Sequence, residues 1–323
     1  MMASTSNPLV MMIAKRAALG LALLLAISIV IFAGTEMLPG DVAQSILGQS
    51  ATPEAIANLR AEMGLNDPAH TRYINWLAGI LQGDLGTSLS SGANISEMIA
   101  ERLSNTLFLA GWSALIAVPL AVLLGMIAVH YRNGFVDKFI SMTTLAAISL
   151  PEFFIGYLLI MFFAVTWNVL PSTSIIYDGM SFGDKITAIA LPCATLTLVV
   201  LAHMMRMTRA AILNVMSSPY VETAELKGLS PFKIIFHHAF PNAISPIVTV
   251  VVLNLAYLVV GVVVVEIIFV YPGMGQLLVD HVTKRDVPVV QAAGLIFASI
   301  YIFLNMFADI MAIIANPRLR HPK

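Results

Sequence analysis

Cysteine is nearly absent: Cys193 stands alone in 323 residues. A single thiol forms no internal disulfide, so no disulfide framework organises this chain. It follows Pro192 in an apolar run and reads as a buried, inert thiol. Charge is scarce too. Asp, Glu, Lys and Arg make up 11% of the chain, where a soluble domain carries about 25%. The formal net charge is −1 and no basic block occurs, so nothing points to nucleic acid. No set of His, Cys and carboxylates has metal-ligand spacing, and the adjacent His237 and His238 point apart on a helix. No Ser/His pair, H-E-x-x-H or paired-acid pattern supports an enzyme. The phosphate-binding pattern G-x-x-x-x-G-K-[ST] does not occur, nor does an internal repeat, a low-complexity tract or a strand pattern.

What the chain has is apolar length. Hydrophobic residues make up 59% of it, and the mean hydropathy is +0.88. A spanning helix needs about 20 apolar residues. Six stretches qualify, roughly 10–34, 105–130, 138–167, 186–212, 243–271 and 288–315. The fold class is therefore an all-α polytopic membrane protein with six transmembrane helices. Lys15 and Arg16 precede the first apolar run like a signal peptide, but the run is long and no A-x-A site follows, so it reads as an uncleaved span. With both termini in the cytoplasm, Lys15, Arg16, Arg132, Lys138, Lys227 and Lys233 all lie inside, as do Arg318, Arg320 and Lys323. The outer segments are acidic, with Glu54, Asp67, Asp84 and Asp178 among them. This is the positive-inside bias. The layout divides into 1–35 (N-terminus and first span), 36–104 (an external helical segment) and 105–323 (a five-helix core). In the external segment Thr52 caps a short helix and Gly64 stops it. Trp76, Trp167, Tyr177 and Tyr271 fit the lipid interface.

One polar insert, within 213–242, interrupts the core. Pro219 to Lys227 reads as a short helix stopped by Gly228. Ser230 caps a second helix with Pro231 at its first position, ending before Pro241. Glu222, Glu225 and Lys227 make the outer face polar; Ile234, Ile235 and Phe236 give an apolar side. From spacing alone two readings stand: a connector whose charges hold topology, or a docking helix for a soluble partner.

The residues of this insert decide between them by resemblance. "YVETAELKGLSPFKIIFHHAFPNA" resembles the EAA loop of binding-protein-dependent ABC importer permeases. Glu222, Thr223 and Ala224 stand in the E-A-A positions and Gly228 at the right distance; Phe240-Pro241 stands for the L-P, with His238 in place of Ile. "MRMTRAAILNV", "RDVPVVQ", "IFVYPGMGQLL", "GDLGTSL", the terminal "NPRLR" and the run from Trp167 to Pro171 resemble the dipeptide, oligopeptide and nickel branch of that family. The resemblance implies that Tyr220, Glu222, Thr223, Ala224, Glu225, Lys227, Gly228 and Leu229 form a loop coupled to an ATPase. It implies a second homologous permease, two ATPase subunits and an external solute-binding protein as partners. It implies ATP and Mg on the ATPases, no cofactor on this chain, and a bacterial inner-membrane location.

Polar residues within the spans are the other candidates, since each charge at mid-membrane costs about 2.5–3.5 kcal/mol. Glu152 lies roughly 21 Å into the third span and follows Pro151, which can kink the helix there. It lines the path, or it is structural glue. Glu266 reads as an external gate or binding-protein contact. Asn305 and Asp309 share a helix face and suit helix–helix contact or the path. Arg206 and Arg209, with His203 nearby, hold topology or pair with Glu222 or Glu225. The alternative function is a proton-coupled carrier with Glu152, Glu266, Asp309 and His203 as its relay.

Overall fold

Apolar length decides where the helices fall. The computed structural model describes residues 8–37, 41–48, 51–177 and 179–315. The terminal NPRLR, Lys323 and Asp178 lie outside them. Among the described residues there are helices and no strand, only one isolated bridge between Thr87 and Asn94. Five helices are long and apolar enough to cross a membrane. They are α1 (Pro8–Glu36), α5 (Ile95–His130), α8 (Phe182–Met216), the run that contains α11 (Phe240–Gly261), and α14 (Val287–Ala315). A bent pair, α6 (Phe135–Ser149) and α7 (Glu152–Leu159), supplies a sixth crossing if the pair is one span.

The core forms around α5 and α8, which pack along most of their lengths. Small residues allow the close approach. Ala117, Ala121, Gly125 and Ala128 of α5 are buried, and a Cβ on Gly125 would come within 2.8 Å of Thr208 Cγ2. Leu109, Ile189, Leu196, Val200, Met204 and Met205 fill the space between. α14 packs on α11 on one side and on α1 on the other. α5 has 36 residues, roughly 54 Å of helix, so it reaches beyond an apolar slab about 30 Å thick at its ends.

Three short helices, α2 (Val42–Leu47), α3 (Pro53–Glu62) and α4 (Ala69–Leu81), form a cap between α1 and α5. Thr52 caps α3 by accepting from the Ala55 amide at 3.2 Å, and Gly64 past its end has φ +63°. Tyr73 of α4 is hydrogen-bonded to Ser28 of α1 at 2.8 Å and lies edge-on to Phe32. Arg72 pairs with Glu36. The cap is thus fixed to the end of α1. α5 runs away from the cap, and its last residue, His130, meets Phe232 of the polar insert at 6.3 Å between rings. Cap and insert therefore sit at opposite ends of the molecule.

The stretch 138–167 bends at Pro151, where the sequence allows a kink. Pro151 disfavours a helical conformation at Leu150, which is extended at ψ 135°, and the two halves meet at 103°. One boundary differs from the sequence expectation. The helix starting at Pro231 does not end before Pro241. α10 (Pro231–Ile234), a π-helical segment (Ile235–Ala239) and α11 run on as one. Pro241 stands in the first turn of α11, directly after the π segment, where the backbone bonds shift from four to five residues back.

Candidate functional site

The polar insert is a helical hairpin, and its turn is built as the punctuation predicts. α9 (Pro219–Leu226) ends in a double-bonded cap. The Gly228 amide donates to Glu225 O at 2.9 Å and the Leu229 amide to Ala224 O at 3.3 Å, with Gly228 at φ +75°. These two bonds close a Schellman motif, which needs a left-handed residue where Gly228 stands. Ser230 then accepts from the Lys233 amide and opens α10. Val221, Ala224 and Ile234 are buried against Met216 and Leu229, so the hairpin has its own small core. The opposite face is free. Glu222, Thr223, Glu225 and Lys227 are exposed, as are Tyr220 and, at 83%, Leu226.

This free face is rigidly joined to a membrane span. Ile234 and Ile235 are buried, and the Phe240 amide donates back five residues to Ile235 O. α10, the π segment and α11 thus run on from Pro231 without a break, and the turn at 227–230 joins them to α9. Phe232 packs on Phe236 at 4.4 Å between rings and on His130, tying the end of α5 to the same hairpin.

Arg209 is not a support of the hairpin. It binds Asp137 at the start of α6 through two donors, each at 2.8 Å. The Asn133 amide also donates to Asp137, which is buried. A buried carboxylate needs such a partner, and Glu222 and Glu225 are solvated already. Arg206 and His203 are exposed, and neither is ion-paired with the hairpin among the described residues.

Glu152 lies at the elbow of the bent pair, in the first turn of α7, rather than partway along a straight span. Tyr257 of α11 lies against its carboxyl. Oε2 is buried and has no hydrogen-bond partner among the described residues. Gly156, one turn on, packs against Ile268 and Phe269.

Glu266 is drawn inward rather than turned to the outside. It is fully buried in α12 (Val263–Ile268), and its carboxylate caps α13 (Met274–Thr283). It accepts from Thr106 Oγ1 at 2.6 Å, the Gly275 amide at 2.7 Å and the Gln276 amide at 3.2 Å. A carboxylate at a helix N-terminus is favoured by the helix dipole. Any Cβ on Gly273 would collide with this carboxylate, and one on Gly275 would come within 2.6 Å of Val263 Cα. Tyr271 belongs to the same knot, donating to Asn105 O at 2.6 Å, and is fully buried rather than at the lipid interface. Asn305 donates to Tyr301 O on its own helix, and Asp309 pairs with Arg16 of α1 at 2.8 Å. Glu152, Glu266 and Asp309 thus have separate partners on separate elements, and no hydrogen-bonded chain joins them among the described residues.

A further buried acid, Asp286, escaped the sequence reading. It accepts from Ser88 Oγ at 2.6 Å, Ser90 Oγ at 2.8 Å, the Ser90 amide at 3.0 Å and the Leu89 amide at 3.1 Å. Burial pushes this carboxyl up, but the hydrogen bonds from Ser88, Ser90 and Leu89 outweigh it and hold it below its ordinary value. The motifs "GDLGTSL" and "RDVPVVQ" are therefore two halves of one clasp.

Membrane-length helices, one elbow and one polar hairpin continuous with a span define a multi-pass transport subunit. The particular family follows from its relatives. Residues 117–321 match the family of binding-protein-dependent transport system inner membrane components, and residues 9–110 match the N-terminal counterpart of that family. The chain belongs to this family: it is an ABC importer permease of the bacterial inner membrane. The "Probable peptide ABC transporter permease protein" of Sinorhizobium fredii is 34% identical over 96% of this chain and 99% of its own. The "Glutathione transport system permease protein" of Salmonella typhimurium is 36% identical over 92% of this chain and 95% of its own. In fold, the chain resembles the MetNI methionine ABC transporter in an inward-facing conformation, with a TM-score of 0.50 at 18% identity over 69% of this chain and 96% of that one.

Proposed function

We propose that this chain is one permease of an ATP-driven importer for peptides or related small solutes. The observation that carries the reading is the α9–α10 hairpin, exposed on one face and continuous with a membrane span on the other. The loop from Tyr220 to Leu229 docks on a cytoplasmic ATPase, with Leu226 as its apolar anchor and Glu222, Glu225 and Lys227 around it. The cap within 36–104 is then external and faces a solute-binding protein, and both termini are cytoplasmic. A second homologous permease completes the path, and two ATPase subunits carry ATP and Mg. This chain performs no catalytic step of its own.

The mechanism is alternating access. Closure of the ATPases on ATP moves the hairpins together and opens the path outward; hydrolysis returns it inward. Only a difference in binding between the two states can drive such a change. Glu152 at the Pro151 elbow meets a cationic group of the cargo or of the second permease in this reading, which its buried Oε2, without a hydrogen-bond partner among the described residues, supports. The names of the relatives, peptide and glutathione permeases, support the cargo class. Purification in mild detergent followed by mass spectrometry tests the assembly. ATPase chains, a second permease and a binding protein are expected to come with this chain. Recovery of the chain by itself would overturn the reading.

A further inference from the structure

Between the cap and the adjoining ends of α1 and α14 lies a cavity of about 640 Å³, within the range of roughly 300–1,000 Å³ typical of small-molecule pockets. Its wall is charged, unlike that of a crevice left by apolar packing. Two of its charged pairs are satisfied within the chain: Arg60 with Asp41 at 2.7 Å, and Arg72 with Glu36. Three other charged side chains on the wall, Arg285, Asp67 and Asp84, make no ion pair among the described residues. Trp76 adds a flat apolar surface and Asn75 an amide.

Arg285 is placed there by the end of α13. Its φ is +58°, the left-handed turn that follows the helix, closed by the Arg285 amide on Val282 O at 3.1 Å and the Asp286 amide on His281 O at 2.9 Å. The next residue is Asp286, whose four hydrogen bonds to Ser88, Leu89 and Ser90 fix the backbone. The clasp thus keeps an unpaired guanidinium at a cavity whose other unpaired charges are carboxylates. A guanidinium matches a carboxylate in a two-donor geometry, and the carboxylates match an ammonium.

We infer that this cavity binds the free termini of a short peptide, with Arg285 taking the C-terminal carboxylate and Asp67 and Asp84 facing the N-terminal ammonium. The inference rests on the import reading and deepens it: the permease holds cargo in its cap, before the path between the spans. The same charges could come from a loop of the binding protein, and the test separates the two.

The purified complex, stripped of its soluble binding protein, is incubated with a defined mixture of dipeptides and tripeptides, including glutathione. Retained peptides are identified by mass spectrometry after gel filtration. The wild-type complex is expected to retain peptides with free termini, and their N-acetylated, C-amidated counterparts are not retained. Arg285→Gln is expected to lower retention at least tenfold, Asp67→Asn with Asp84→Asn to do the same, and Lys138→Gln, at an exposed residue away from the cavity, to leave it unchanged. Retention equal in wild type and Arg285→Gln overturns the inference, as does no retention at all. So does a weakened affinity of Arg285→Gln for the loaded binding protein without any free-peptide binding, which assigns the cavity to a protein loop. If ATPase chains remain in the complex while the cap retains nothing, the cap site alone fails. If they are missing, the import reading fails with it.

Discussion

Glu266 satisfies three donors with one carboxylate, and those donors come from two helices far apart in the chain. Removing it strands the Thr106 hydroxyl and the Gly275 and Gln276 amides in a site without exposure. A buried donor left unpaired costs about 1–3 kcal/mol. Glu266→Ala is expected to lower the thermal unfolding midpoint of the purified complex, by about 2–4 kcal/mol of stability, with Glu266→Gln in between. Gly273→Ala is expected to match Glu266→Ala, because its Cβ would occupy the carboxylate's place. An unchanged midpoint for both would remove Glu266 from the fold's supports. Asp286 gives a pH signature. Its carboxyl is held below the ordinary aspartate value of about 3.9, so its contribution is complete above that pH and is lost as pH falls through the lower folded value. Limited proteolysis of the 83–91 loop is expected to stay slow down to about pH 4 and to accelerate below it. Asp286→Ala is expected to be cut fast at pH 7, and equal rates for wild type and variant at pH 7 would contradict the clasp.

The elements that could be read from the sequence are those fixed by local chemistry. Thr52, Gly64, Gly228, Ser230 and Pro231 stand where caps and turns require them, and each does in the structure what its side chain predicts. Apolar length placed the spans. Pro151 marked a kink but not its size, because hydropathy counts residues along a helix and is blind to a 103° turn inside it. Partners distant in sequence were hidden as well. Arg209 meets Asp137 across 72 positions, and Asp286 meets Ser88 across 198. Proximity along the chain suggested Glu222 and Glu225 for Arg209, and only packing could redirect it. The π segment was hidden for another reason: Pro241 reads as a helix stop unless the backbone bonds before it are known to shift from four to five residues back. That shift sets the angle of the hairpin to α11. Deleting Phe236 turns the hairpin by about 100° relative to the span. The deleted chain is expected to insert and to keep its second permease while peptide uptake drops at least tenfold. Wild-type uptake would mean that the hairpin's orientation carries nothing.

At the scale of the whole molecule, the cap and the hairpin occupy opposite ends of α5, and every span lies between them. α10, α11 and α12 form one membrane-length run from the hairpin. At its far end the Glu266 knot joins α12 to α13 and α5, and the Asp286 clasp joins the start of α14 to the loop below the cap. Glu266 and Asp286 thus tie the far end of the bundle together. On the proposed reading the hairpin is the lever that moves this run, and its shape depends on one backbone conformation. Gly228 sits at φ +75° with open space around its Cβ position, so a side chain there would strain the backbone without colliding with anything. Val in a left-handed conformation costs about 1–2 kcal/mol, whereas Asn tolerates it.

The most direct measurement is therefore ATP-dependent peptide uptake into proteoliposomes holding the whole complex, comparing wild type, Gly228→Val and Gly228→Asn at equal protein. Val is expected to abolish uptake while the subunits stay together, and Asn to restore most of it. Uptake that is normal with Val, or equally lost with Val and Asn, would contradict the hairpin as the coupling element.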